Sequence, residues 1–128
     1  MEKKRKFREI KLESGTKILL GKDEKSNDEL MMQYKGEENT IIHTSSPGSP
    51  FCVIKDSNPS KQDITTSGAV CASYSQDWRD NRKDVVVHVF TGKDISKRIW
   101  MKKGSWKVKN PKVIKIKKKD IEKIEKEK

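Results

Sequence analysis

Asp84-Val85-Val86-Val87-His88-Val89-Phe90 is the most strand-like stretch of the chain, and the fold can be read outward from it. Branched and aromatic side chains run through it without polar alternation, as in an internal strand covered on both faces. Upstream, Pro59-Ser60-Lys61-Gln62-Asp63 has the Ser-x-x-Asp form that opens a helix. Ile64, Gly68, Cys71, Ser75 and Trp78 then recur at helical spacing, and Gly68, Ala69, Ala72 and Ser73 are small enough for close packing on a sheet. Residues 17–21, 30–34, 40–44 and 51–54 predict further strands, with Ser46-Pro47-Gly48-Ser49-Pro50 as a tight reversal before the last of them. Val108, Val113 or Ile114, and Ile116 alternate with lysines and predict a final, solvent-edged strand. Asp120 is placed to cap a short helix carrying Ile121 and Ile124. The resulting order is β-β-β-β-α-β-β-β. It implies an α+β fold, a mostly antiparallel sheet with one main helix packed on it and a short C-terminal helix. The expected division is a basic arm over residues 1–13, a domain over 14–117 and a charged helix or tail over 118–128.

The 128 residues suit a single domain. Only 31% are hydrophobic, which permits a small core but not a large enzyme with a deep pocket. No apolar run approaches membrane-spanning length, and the basic N-terminus leads into no apolar segment of a secretory signal. Two cysteines cannot form a disulfide framework, so a reduced, cytoplasmic protein is expected.

Thirty Lys and Arg against nineteen Asp and Glu give a net charge of +11. Residues 1–11 carry +4 and residues 101–128 carry +8, while the stretch between sums to −1. Basic ends on a near-neutral body point to a polyanionic partner, because each lysine on a phosphate releases counterions. Nucleic acid is the leading expectation and solvated tails are the alternative. No basic helix with an aromatic and leucine face favours a membrane.

Enzyme motifs are sparse. Gly21-Lys22 is only a fragment of a phosphate loop, and no Gly-x-Gly-x-x-Gly occurs. Cys52 and Cys71 lack zinc-type spacing and read as core thiols, so neither metal nor cofactor is expected. His88, inside the Val-rich stretch, reads as a sheet histidine. His43 ends a strand just before the Pro-Gly turn, where it is either a packed imidazole or a contact to phosphate, base or sugar. Trp78, Trp100 and Trp106 read as core and rim fillers. Trp100 and Trp106 also lie among Arg98, Lys102, Lys103 and Lys107, a mixture that suits stacking a base beside its phosphate.

Four motifs in order resemble the RNA-binding domain of the NFACT family over roughly residues 14–116. They are Ile18-Leu-Leu-Gly21-Lys22 followed by Asn27-Asp28-Glu29-Leu30; His43 with Pro47-Gly48-Ser49; Ala69-Val-Cys-Ala72-Ser-Tyr74-Ser75; and Ile95-Ser-Lys97 with Gly104. Pro50 stands where the family's turn usually ends in His, and Ile41-Ile42 stand where an aromatic commonly precedes the strand histidine. The resemblance implies a stand-alone, non-catalytic module that binds RNA. The expected ligand is tRNA or rRNA in translation, ribosome-associated quality control or RNA modification, with the large ribosomal subunit as a partner and DNA as a competitor. Lys22, Asn27, His43 and Ser49 would line a site at loop ends, and Lys97, Arg98, Lys102, Lys103 and Lys107 would hold phosphates. Gly21, Asp28, Leu30, Pro47, Gly48, Ala72, Tyr74, Ser75 and Gly104 would shape the motifs. Asn27 and Asp28 fit equally well as turn stabilisers. The alternatives are an RNA-modifying or RNA-processing enzyme, or accessory subunit, that uses His43, and an adaptor docking on a ribosomal protein.

Overall fold

The computed structural model describes residues 6–97, 101–103 and 105–128. The expectations on Lys3, Lys4, Arg5, Arg98, Trp100 and Gly104 lie outside the described residues. The first elements are strands β1 (Arg8–Lys11) and β2 (Lys17–Leu20), helix α1 (Glu24–Tyr34) and strands β3 (Thr40–Thr44) and β4 (Cys52–Ile54). Helices α2 (Lys61–Ser73) and α3 (Gln76–Asn81) follow, then strands β5 (Val85–Thr91), β6 (Ile95–Ser96), β7 (Lys107–Val108) and β8 (Lys112–Ile116), and helix α4 (Lys118–Glu127). Six strands form one sheet in the order β1-β2-β4-β3-β5-β8, and β6 and β7 form a two-stranded ribbon. Every pairing is antiparallel, as the α+β reading expected.

Residues 30–34, expected as a strand, are the second half of α1. Asp23 accepts from Ser26 N at 2.8 Å and Ser26 Oγ accepts from Asp23 N at 3.0 Å, a reciprocal cap that starts the helix early. Ser26, Leu30 and Met31 then share a buried face. Residues 8–11, expected in a basic arm, pair with β2 in the register Ile10↔Ile18. The boundary drawn at residue 13 therefore falls inside a hairpin. A single apolar residue among Arg8, Glu9 and Lys11 hid this strand, which the sheet edge stabilises.

The long helix is two helices. Ser75 is extended, and its hydroxyl accepts from Trp78 N at 3.1 Å to start α3. Ser60 caps α2 as expected, accepting from Asp63 N at 3.0 Å. Asp63 does not complete a capping box. Its carboxylate accepts from Ser14 Oγ at 2.6 Å and Thr16 Oγ1 at 2.8 Å, so it clasps the β1–β2 hairpin. Gly68 brings α2 close to the sheet, since a Cβ there would lie 2.8 Å from Ile116 Cδ1.

β8 is the lysine-bearing edge strand, but Val108 is not part of it. A left-handed Asn110 (φ 47) separates it, and Val108 pairs with Ile95. Asp120 sits in the first turn of α4 rather than capping it, and Asp84 Oδ1 accepts from Lys118 N at 2.8 Å. Glu122 and Lys126 form no ion pair within 4 Å among the described residues. Ile121 is buried and Ile124 packs beside it, so α4 belongs to the body.

One sheet face carries Ile18, Leu20, Ile42, Ile54, Val85, Val87 and Ile116 under α2 and α4. The other carries Leu19, Ile41, Val53 and Phe90 under α1 and the β6–β7 ribbon. β5 is internal, as expected, yet Val86 and His88 are only half-buried because the second layer stops short of them. The Ser67 hydroxyl on α2 is buried with no partner among the described residues. Ser67→Ala is expected to raise unfolding stability by about 1 kcal/mol, because an unpaired buried hydroxyl leaves the core. A lower denaturation midpoint in that variant would show that the hydroxyl has a partner after all.

Candidate nucleic-acid interface

The sequence-marked residues gather where β2, β3 and β4 end. Gly21 lets α1 approach this edge, since a Cβ there would collide with the Asn27 side chain. Asn27 Oδ1 accepts from Phe51 N at 3.0 Å, and Gly21 N donates to Phe51 O at 3.2 Å. Asn27 and Asp28 thus stabilise tertiary contacts from a helix, not a turn between two strands. The Phe51 ring stacks on His43 with centroids 4.3 Å apart and planes 26° apart. An aromatic partner for His43 therefore comes from the residue just before β4 rather than from the position before it in β3. Lys22 is exposed at the same end, with its amide donating to Ser26 Oγ at 2.7 Å.

The Pro47-Gly48-Ser49 turn is anchored, not open. Gly48 adopts φ +91, and its carbonyl accepts from Gln76 N at 2.8 Å. Ser49 Oγ accepts from Thr44 N at 3.2 Å and donates to Pro50 O at 3.3 Å. Ala72 O accepts from Ser75 Oγ at 2.7 Å, which locks the α2–α3 joint. Tyr74 lies away from this edge, between the Arg8 guanidinium at 4.5 Å and the Lys128 ammonium at 3.7 Å.

Burial depresses His43 to about 4, and hydrogen bonding with backbone groups of Thr44 and Ser49 offsets only part of this. Near neutral pH its ring is therefore the neutral imidazole, without the extra proton an imidazolium would give as a general acid. Burial also raises both thiols, Cys71 to about 12 and Cys52 well above its ordinary value. Both are free and buried, as the core-thiol reading expected. No group of three or more His, Cys, Asp or Glu suited to a metal occurs among the described residues.

The lysines divide into two kinds. Lys97 Nζ donates to Asp28 Oδ1 at 2.9 Å, Lys102 O at 3.1 Å and Ser105 O at 3.2 Å. Asp28 Oδ1 also accepts from Trp106 Nε1 at 2.9 Å. Each ammonium hydrogen of Lys97 has an acceptor, so Lys97 clasps the ribbon to α1 instead of holding phosphate. Trp106 is buried in this clasp and has no face open for a base. Lys102, Lys103 and Lys107 are exposed. Residues 107–119 then hold seven lysines and no acid. All seven are exposed, and among the described residues none makes an ion pair within 4 Å. This forms a basic band along β7, β8 and the start of α4.

The sequence profile of the NFACT protein RNA-binding domain matches residues 6–110, most of the chain. The chain belongs to the NFACT-R family. No curated protein matches it. The C-terminal part of the fibronectin/fibrinogen-binding protein from Streptococcus suis has the same fold, with a TM-score of 0.81 and 22% identity. That likeness covers 95% of this chain and 50% of the other, so the NFACT-R chain spans half the length of that structure.

The NFACT-R profile includes β1, which the sequence reading left in the arm. Of the site residues expected from the resemblance, Gly21, Asn27, His43 and Ser49 converge, while Lys102, Lys103 and Lys107 lie on the ribbon side. Phe51 escaped notice. Its only signal was an aromatic directly after the Pro-Gly turn, eight positions beyond the histidine it meets.

Proposed function

We propose that this NFACT-R chain binds RNA of the translation apparatus, tRNA or rRNA, in the cytoplasm, with the basic band against the phosphate backbone. The observation that carries the reading is seven exposed lysines within residues 107–119, none of them in an ion pair within 4 Å among the described residues. Such an array attracts any polyanion, and the family membership directs it to RNA. Lys102 and Lys103 extend the band towards the strand-end cluster.

Anisotropy titrations of tRNA, single-stranded RNA and duplex DNA across a salt series test this. The double variant Lys103→Ala/Lys107→Ala is expected to weaken binding to every RNA and to flatten the log–log salt slope by roughly 1.5, from two lost phosphate contacts. An unchanged slope would remove these lysines from the interface. Failure of the parent chain to bind any RNA would defeat the proposal.

A further inference from the structure

The second sheet face is covered only in part. α1 and the β6–β7 ribbon lie over Leu19, Ile41, Val53 and Phe90. The next row on that face is His43, His88 and Val113, which are direct cross-strand partners on β3, β5 and β8. The following row pairs Val86 with Lys115. Val113 is 65% exposed, and His88 and Val86 are half-buried. At the inner end of the row, His43 stacks on Phe51, which meets Phe90 edge-on with centroids 6.5 Å apart. The platform is therefore anchored in the core on one side and open to solvent on the other.

We propose that this face stacks unpaired nucleobases of RNA. The inference rests on the RNA reading above and names the class of RNA. Three observations favour bases over another apolar occupant. The open part of the row sets the half-buried His88 imidazole beside Val113, a ring-and-aliphatic surface on which a base can stack. Strands about 4.8 Å apart set His88 and Val113 side by side over a span that suits one base. Lys115 rises on the same face one row beyond His88 and Val113, so a base on the row has its own phosphate near a cation. A duplex buries its base faces, and among the described residues this sheet surface presents no element to enter a groove, so the occupant is a loop, bulge or single strand.

The test uses the full chain, a mixed-sequence single-stranded RNA and a blunt RNA duplex with the same number of phosphates. The unaltered protein is expected to favour the single strand. His88→Ala/Val113→Ser is expected to weaken single-strand binding by roughly tenfold, the loss of one stacked base, while duplex binding and the salt slope stay unchanged. His88→Phe keeps a planar ring and is expected to retain the preference. Melting curves confirm that both variants fold. Equal affinity of the parent for strand and duplex would overturn the platform and leave RNA binding intact. So would a double variant that loses nothing, or loses both RNAs alike. Absence of all RNA binding would instead overturn the underlying function, and the platform with it.

Discussion

Replacing Asp28 by Ala should lower stability by about 3–4 kcal/mol, the largest loss expected from any exchange at the candidate site. One carboxylate oxygen accepts from both Lys97 Nζ and Trp106 Nε1, each at 2.9 Å. The Lys97 and Asp28 side chains are only 22% and 20% exposed, so water replaces neither partner well. Without the carboxylate, an ammonium and an indole N–H lose their shared acceptor at the seam between α1 and the ribbon. Asp28→Asn keeps an acceptor oxygen and should lose less. Lys97→Met keeps the aliphatic stem near Trp106 and should also lose less. Chemical denaturation of the three variants ranks them. An Asp28→Ala protein as stable as the parent would show that the clasp contributes nothing, and would return Lys97 to the candidate phosphate contacts.

Acidification gives the second large effect. The unfolded His43 imidazole takes up a proton near pH 6.5, whereas the folded one refuses it until about 4. The unfolded state thus binds more protons through this window, so stability is full above about pH 6.5 and falls as the pH drops towards 4. The contribution reaches about 3 kcal/mol at the lower end. Asp23, held low by the Ser26 amide, and Asp63, held low by the Ser14 hydroxyl, also lose stabilisation in acid. Comparison with His43→Phe cancels those terms. The parent should lose more stability than the variant between pH 7 and pH 4, and parallel curves would place His43 in a better-solvated setting.

Much of the architecture was legible along the chain. Asp84–Phe90 marked an internal strand because seven residues in a row avoid a solvent-facing alternation. Ser60 marked the start of α2, and the small residues around Gly68 marked its close approach to the sheet. The lysine alternation from residue 112 marked an edge. Elements that local pattern misassigned were those whose stability comes from elsewhere. Leu30-Met31-Met32 looks like a strand run, and only the reciprocal Asp23–Ser26 cap makes it helical. β1 offers Ile10 alone, and the hairpin with β2 supplies the rest.

The site divides in the same way. Lys97 and Lys103 are indistinguishable in a list of basic residues, but Lys97 meets an aspartate 69 positions away and Lys103 stays exposed. Asn27 and Ser49 were marked by motif, yet both spend their hydrogen bonds on backbone amides. Charge, thiol usage and the order of motifs are properties of composition and short spacing, and they pointed to a basic chain of the NFACT RNA-binding-domain family before any contact was visible. Which lysines remain free, which ring supports His43 and which half of a sheet face stays open depend on strand register and on partners that the fold brings together across turns and across tens of residues. Those were decided only when the sheet closed, because register sends alternate side chains to opposite faces and long-range packing determines which of them water still reaches.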